Sequence, residues 1–141
     1  MIDFKQFKEH VVVPTLKYLD SEIPYSEEAV DLLMMTCAHE SRGGTDLRQK
    51  GMTGKEGAFG VYQMEMATQD EQPASPLLSD LTYATAMARV HYWRVAEALP
   101  SKDDTRYLPL LGEYAKKYYN THLGKATASK YVMDYLDWRD S

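Results

Sequence analysis

The pattern of apolar and polar residues predicts a mainly helical chain organised around one buried helix. After an acidic first turn, residues 29–38 are apolar almost throughout, which is typical of a helix that protein surrounds on every side. Ser26 precedes this run and is predicted to cap the free amides of the first turn. Gly43 and Gly44 follow the helix and are predicted to end it, because glycine readily adopts the backbone conformations that terminate helices.

Helical spacing predicts further helices on both sides of the central one. The first lies in residues 1–23 and is bent by Pro14, although Val11–Val13 also fits a short strand. Residues 63–69 are predicted to form a short helix. The longer helices are predicted from a Ser79 cap to about Leu99, from about Thr105 to Tyr119 with Pro109 in the first turn, and after a Thr127 cap with Tyr131, Tyr135 and Trp138 on one face.

Glu40 is the first candidate for chemistry, because it lies near the end of the central helix at a spacing that continues the buried face. Apolar neighbours and the negative end of the helix dipole both disfavour a carboxylate there, so we expect the pKa of Glu40 to be raised. A general acid working near neutral pH needs such a pKa. The alternative interpretation is a helix-terminal glutamate that bends out into water and has no catalytic role.

The segment from Gly43 to Gly60 is rich in glycine and charged residues, which predicts an irregular loop, with room for a small hairpin, beside Glu40. It lacks the Gly-Lys-Ser or Gly-Lys-Thr ending of phosphate-binding loops. His39 and Glu40 begin a zinc-protease motif, but glycine stands at the position of the second histidine. We therefore expect no metal and no cofactor, and we interpret all four histidines as structural or surface residues.

Composition excludes several classes of protein. A net charge of −5 argues against nucleic-acid binding, because phosphate contacts need a basic surface. The single cysteine, Cys37, lies in the central helix and is interpreted as a buried, inert thiol. No stretch has the apolar length of a signal peptide or a membrane span, so we expect neither a signal peptide nor membrane insertion.

Three short motifs occur in order along the chain: Glu40-Ser41, Gly-Val-Tyr-Gln-Met at 60–64, and Tyr-Tyr-Asn at 118–120. Together they resemble motifs of the lytic transglycosylases and goose-type lysozymes. The residues that flank them are most similar to those of transglycosylase-like proteins of bacteriophages. The resemblance covers roughly residues 24–138. The sequence departs from the family pattern at four positions, which are Val61, Tyr62, Met66 and Tyr118.

Length and composition indicate one domain over residues 1–141, with the N-terminal helix and bend in 1–23 and the motif-bearing region in 24–138. The resemblance implies that this domain has a lysozyme-like fold of five to six helices with a glycine-rich active-site loop. It implies that Glu40 is the catalytic acid and base in cleavage of the β-1,4 bond between N-acetylmuramic acid and N-acetylglucosamine in peptidoglycan. The residues that it implies for substrate binding or for orienting the acid are Ser41, Gly60, Tyr62, Gln63, Met64, Tyr119 and Asn120.

The product of glycan cleavage depends on how many carboxylates take part in the reaction. Hydrolytic glycosidases ordinarily use two, and the candidates for a second one here are Asp46, Glu56 and Glu65, none of which has a setting that argues for the role. A one-acid site suffices if the 6-hydroxyl of the sugar attacks its own anomeric carbon. The expected product therefore carries a 1,6-anhydromuramic end, with a lysozyme that uses Asp46 as its base as the alternative.

The same resemblance bears on how the protein would reach the cell wall and on how its negative charge would affect binding there. A phage-encoded protein of this kind would be made in the host cytoplasm and would reach the cell wall through a virion, a pore or another partner. A basic patch around the groove would offset the negative charge of the chain beside an anionic wall. The same basic residues also fit a solvated loop with no such role. They are Arg42, Arg48, Lys50 and Lys55.

Two rival functions remain open. One is a non-catalytic lysozyme-like protein that binds a partner in a virion or in the host, because a fold does not determine a function. The other is a hydrolase of a different glycan such as chitin, or a two-carboxylate lysozyme.

Overall fold

The computed structural model of the chain describes residues 1–47, 58–65, 80–119 and 126–141. Within these ranges the protein is mainly helical, as predicted. Its elements in chain order are α1 (Phe4–Phe7), a π-helical stretch (Lys8–Val12), α2 (Val13–Tyr18), α3 (Glu27–Ser41), β1 (Ala58–Phe59), β2 (Met64–Glu65), α4 (Leu81–Trp93), α5 (Tyr107–Tyr118) and α6 (Ala128–Arg139). None of the helices in these ranges has the length and apolar character needed to cross a membrane.

The central helix α3 is confirmed in its start and its burial. The Ser26 hydroxyl accepts a hydrogen bond from the Ala29 N–H at 3.1 Å, which caps the first turn. Every residue from Ala29 to Ala38 is buried, because α3 packs against α4, α5, α6 and the π-helical stretch. Burial also raises the pKa of the Cys37 thiol to about 12, which leaves this group unreactive at neutral pH.

The predicted end of α3 is confirmed as a left-handed turn. Arg42, Gly43 and Gly44 have φ values of 52°, 64° and 85°. The Gly43 carbonyl accepts a hydrogen bond from the Ile2 N–H at 2.8 Å, and the Trp138 indole N–H donates to the Ile2 carbonyl at 2.8 Å. A Cβ atom on Gly43 would lie 2.7 Å from the Trp138 ring, so only glycine fits this corner.

The N-terminal helical region is interrupted by a π-helical stretch just before Pro14. The Val13 N–H donates to the Lys8 carbonyl, which is the wide hydrogen-bond spacing of a π-helix. Proline has no N–H and its ring clashes with the preceding turn of a regular helix, so the wider turn accommodates Pro14 at the start of α2. The alternative of a strand at Val11–Val13 is wrong.

The glycine-rich segment contains a small antiparallel hairpin, in which Ala58 pairs with Glu65 and Phe59 with Met64. The turn between the strands closes because Gly60 and Gln63 have positive φ values of 81° and 49°. The short helix predicted over residues 63–69 is therefore wrong as far as Glu65, and its remaining residues lie outside the described ranges.

Helix α4 is shorter than predicted, because it ends at Trp93 rather than near Leu99. Beyond its end, the Glu97 carbonyl accepts a hydrogen bond from the Tyr114 hydroxyl at 2.9 Å. The composition of residues 94–99 favours helix, but here a backbone carbonyl of this segment bonds to α5. Tertiary contacts can override local helix propensity.

The starts of the last three helices follow local capping rules. Asp80 caps α4, whereas the predicted cap Ser79 lies outside the described residues. Pro109 lies in the first turn of α5, the place where proline is tolerated. Thr127 caps α6 by accepting a hydrogen bond from the Lys130 N–H at 3.1 Å, as predicted.

Candidate active site

Glu40 lies in the last turn of α3, where it is half-buried. The Tyr131 hydroxyl donates a hydrogen bond to Glu40 Oε2 at 2.6 Å. Burial raises the pKa of Glu40 by more than the bond from Tyr131 and the nearby His39 lower it. The prediction of a raised pKa is confirmed, and more of this carboxyl stays protonated near neutral pH than in an exposed glutamate.

Tyr131 is the contact of Glu40 that the sequence analysis missed. It lies in the early part of α6 and its side chain is fully buried. The sequence correctly predicts that Tyr131, Tyr135 and Trp138 share a buried face. No local pattern indicates which residue of that face meets Glu40, because the packing of α3 against α6 decides it.

A chain of polar contacts continues from Tyr131 along α6. The His39 ring lies on the Tyr131 ring, with centroids 4.0 Å apart and planes tilted by 35°. His39 Nδ1 and Asp134 Oδ2 are 2.8 Å apart, and Asp134 Oδ1 accepts a hydrogen bond from Lys130 Nζ at 2.8 Å. His39 therefore packs against the tyrosine that contacts Glu40, a placement that no local sequence pattern indicates.

Tyr119 lies near Glu40 but does not hold it. Its hydroxyl donates to the Tyr62 carbonyl at 2.5 Å, and its ring stacks on Tyr92 with centroids 5.3 Å apart. Burial raises the pKa of Tyr119 well above its ordinary value, and the charge of Glu40 raises it further. The hydroxyl that donates a hydrogen bond to Glu40 is therefore that of Tyr131, whereas Tyr119 lies close enough for the charge of Glu40 to act on it. Asn120 lies outside the described residues.

Two other buried tyrosines have their hydroxyls engaged inside the protein. The Thr36 hydroxyl donates to the carbonyl of its own helix at 2.8 Å, so the Tyr92 hydroxyl, also 2.8 Å away, donates to Thr36. Thr85 and Tyr62 repeat this arrangement, with hydroxyl oxygens 3.0 Å apart. These phenols form a fixed support for α3 and are not free to bind a ligand.

Ser41 is buried and organises the loop after α3. Its hydroxyl donates to the Cys37 carbonyl at 3.1 Å and accepts from the Gly44 N–H at 2.9 Å. In the same loop, Asp46 receives two hydrogen bonds from the Arg42 guanidinium, at 2.7 and 3.0 Å. Ser41 therefore joins the last turn of α3 to the start of the loop. The other members of the expected basic patch, at positions 48, 50 and 55, lie outside the described residues.

The turn of the hairpin is tied to that loop. The Gly60 N–H donates to the Leu47 carbonyl at 2.7 Å. Gln63 Nε2 donates to the carbonyls of Asp46 and Gly60, at 3.0 and 2.8 Å. Gln63 therefore joins the hairpin to the segment that follows α3.

The remaining groove residues are placed differently from the expectation. The side chains of Tyr62 and Met64 are buried in the core, so they do not line an open groove. Burial of alternate residues in a hairpin depends on what packs against it, and the chain pattern alone does not reveal this. The elements thus bring Glu40, Tyr119 and Tyr131 together, with Tyr62 beneath them.

In the described ranges no group of three or more His, Cys, Asp or Glu side chains is arranged to hold a metal ion. Comparisons of the chain with models of protein families, with curated proteins and with solved structures find no match. A function can therefore be inferred only from the chain's own motifs and from the residues around Glu40.

Proposed function

We propose that this protein is a lysozyme-like lytic transglycosylase that cleaves the β-1,4 bond between N-acetylmuramic acid and N-acetylglucosamine in peptidoglycan. The observation that carries the proposal is the half-buried carboxyl of Glu40, whose pKa is raised by burial and which is held by Tyr131. Such a carboxyl supplies a proton near neutral pH and takes one back as a carboxylate. The motifs at 40–41, 60–64 and 118–120 support the same assignment.

The hydrogen bond from Tyr131 distinguishes the two oxygens of Glu40. Oε2 accepts a hydrogen bond from the Tyr131 hydroxyl, which favours the proton of the neutral carboxyl on Oε1. No residue of the described part of the chain forms a hydrogen bond with Oε1. We therefore assign Oε1 as the oxygen that reacts with the substrate.

The reaction needs one proton donor that later acts as a base. Glu40 Oε1 gives its proton to the glycosidic oxygen while the bond from that oxygen to the anomeric carbon breaks. The 6-hydroxyl of the same muramic acid then bonds to the anomeric carbon, and its proton returns to Glu40. The products are a free 4-hydroxyl and a 1,6-anhydro sugar, and intramolecular attack replaces an activated water through proximity.

The surroundings of Asp46 favour this one-acid mechanism over hydrolysis. A hydrolytic glycosidase holds its two carboxyl groups ~5–5.5 Å or ~6.5–9.5 Å apart and leaves the second free to act. Both oxygens of Asp46 are engaged by Arg42, which makes it a structural pair. Glu56 and the side chain of Glu65 lie outside the described structure.

Digestion of purified sacculi followed by mass spectrometry tests the proposal. We expect fragments with 1,6-anhydromuramic ends from the wild type and a loss of ~10²–10⁴-fold in Glu40→Gln. Glu113→Gln, an exposed position on α5, serves as the control and keeps full activity. Fragments of hydrated mass, together with inactivity of Asp46→Asn, would instead show a two-carboxylate lysozyme. Cleavage of chitin oligomers in preference to sacculi would show a different glycosidase.

A second candidate is glycan or partner binding without cleavage. It is favoured by the burial of Tyr62 and Met64, because these residues do not present their side chains to a sugar. Co-sedimentation with sacculi separates the two functions. Equal retention of wild type and Glu40→Gln without released fragments would support a binding protein.

A further inference from the structure

Arg89 is a buried cation far from Glu40. It lies on α4, and only 6 % of its surface is exposed. Its Nη2 donates to the Pro24 carbonyl at 3.4 Å, a long hydrogen bond. Pro24 precedes α3 and Glu40 lies in the last turn of α3, so at ~1.5 Å per residue the two ends of this helix are about 20 Å apart.

The guanidinium of Arg89 has no counter-charge among the residues that the structure describes. The salt bridges found there all involve other side chains. Burial lowers the pKa of Arg89, which shows that its surroundings disfavour the charge, yet arginine stays protonated at neutral pH. A buried charge without a partner is costly, so the fold retains a cation that it does not itself neutralise.

Trp93 lies next to this cation and remains open to solvent. The Arg89 Cζ atom is 5.4 Å from the centroid of the Trp93 ring, and 50 % of the Trp93 surface is exposed. A cation–π contact stabilises the charge in part but satisfies none of the in-plane N–H donors. An exposed aromatic ring thus lies beside buried N–H donors, and sites for small molecules combine aromatic surface with a few such polar groups.

We propose that Arg89 and Trp93 form a binding site for the carboxylate of a small organic acid. The planar guanidinium offers paired N–H donors that match two carboxylate oxygens. One positive charge balances a monoanion, whereas a phosphate dianion would keep excess negative charge in a chain of net charge −5. The Trp93 ring contacts the apolar body of the acid. This site lies at the other end of α3 from Glu40 and is independent of the proposed glycan cleavage.

Ligand titration tests the site directly. Benzoate, acetate and inorganic phosphate are each added at constant ionic strength while Tm and tryptophan fluorescence are recorded. Trp93 is one of two tryptophans, and the other, Trp138, is buried, so Trp93→Phe identifies the signal of the site. We expect a saturable fluorescence change and a rise of Tm with benzoate, a weaker response to acetate, and little response to phosphate.

Three variants decide whether Arg89 carries the response. Arg89→Met keeps the apolar stem and removes the charge, so its Tm without ligand should equal or exceed that of the wild type, and the benzoate response should be lost. Arg89→Lys should weaken benzoate binding by about tenfold or more, because an ammonium lacks the planar fork. Arg94→Met, at the exposed position after Trp93, is the control and should keep the full response.

Four results would overturn the proposal. They are no saturable response in the wild type, an undiminished response in Arg89→Met, phosphate binding as tight as benzoate binding, and a large loss of Tm in Arg89→Met without ligand. The last would show that Arg89 is a structural contact with no charge left to neutralise.

Discussion

The hydroxyl of Tyr131 and Oε2 of Glu40 lie 2.6 Å apart, so helix α6 influences the protonation of a carboxyl that α3 carries. This bond lowers the pKa of Glu40 against the burial that raises it. Tyr131→Phe removes the hydrogen bond that lowers the pKa of Glu40 and leaves its burial, so we expect this pKa to rise further. A carbon-13 NMR titration of the glutamate carboxyls measures it, and the alkaline limb of any activity profile should move to higher pH.

Tyr135→Phe is the matched control for that titration, because Tyr135 lies on the same buried face of α6. It should leave the titration of Glu40 unchanged. A Glu40 pKa that is the same in Tyr131→Phe and wild type would mean that the hydrogen bond does not form in solution.

The raised pKa of Glu40 makes its contribution to stability dependent on pH. Between the unfolded and folded pKa values the folded state binds more protons, so stability falls as pH rises. The contribution is fully present below the unfolded value of ~4.3 and is lost as pH rises through the folded value. Glu40→Gln removes this loss, so we expect its Tm to exceed that of the wild type at neutral pH and to approach it near pH ~4. Thermal melts across this range check it, and a difference that stays constant with pH would contradict it.

Tyr119→Phe should destabilise the protein rather than act on catalysis alone. Its hydroxyl donates to the Tyr62 carbonyl inside the core. Loss of the donor leaves a buried carbonyl without its partner, which costs about 1–3 kcal/mol in the free energy of unfolding. Urea denaturation measures the loss, with Tyr118→Phe at the neighbouring position as the control. A Tyr119→Phe variant as stable as the control would show that water replaces the phenol.

Asp134→Asn should loosen the support of Tyr131. Asp134 contacts His39 at 2.8 Å and His39 packs on the Tyr131 ring, whereas the bond to the exposed Lys130 adds little. We expect a loss of about 1–2 kcal/mol in the free energy of unfolding. Asp137→Asn, an exposed acid on the same helix, should be nearly neutral. Equal effects of the two substitutions would show that the His39 contact contributes nothing.

Gly43→Ala tests the corner after α3. Gly43 has a φ of +64°, and an added Cβ would meet the Trp138 ring at 2.7 Å. The left-handed conformation alone costs a non-glycine residue about 1–2 kcal/mol, so the total loss of stability should exceed that. Arg42→Gly is the contrasting variant, because relief of its left-handed conformation roughly offsets the loss of an exposed ion pair worth ~0.2–1 kcal/mol. Thermal melts compare the two, and equal Tm changes would refute the steric explanation.

Local signals in the sequence predicted much of the fold. The cap at Ser26, the buried run after it, the tolerated Pro109 and the cap at Thr127 all depend on interactions within one or two turns of a helix. The early end of α4 has no such local signal, and beyond it the Glu97 carbonyl accepts a hydrogen bond from Tyr114 on another helix.

The site was less predictable for the same reason. Glu40 can be identified from the sequence because the buried run that carries it is a continuous local pattern. Tyr131 did not, because its neighbourhood in sequence resembles that of Tyr135, and only the packing of α3 against α6 separates them. Tyr62 was expected at a groove surface, but its burial depends on α4, to which Thr85 connects it.

The junction of Ile2 with Gly43 and Trp138 joins segments from nearly opposite ends of the sequence. Bringing such distant segments together costs conformational entropy that increases with the length of chain between them, so their contacts are expected to form after the intervening helices have packed. The same contacts should be among the first to open when the chain frays near Ile2. The left-handed corner that follows Glu40 is therefore expected to be completed late in folding.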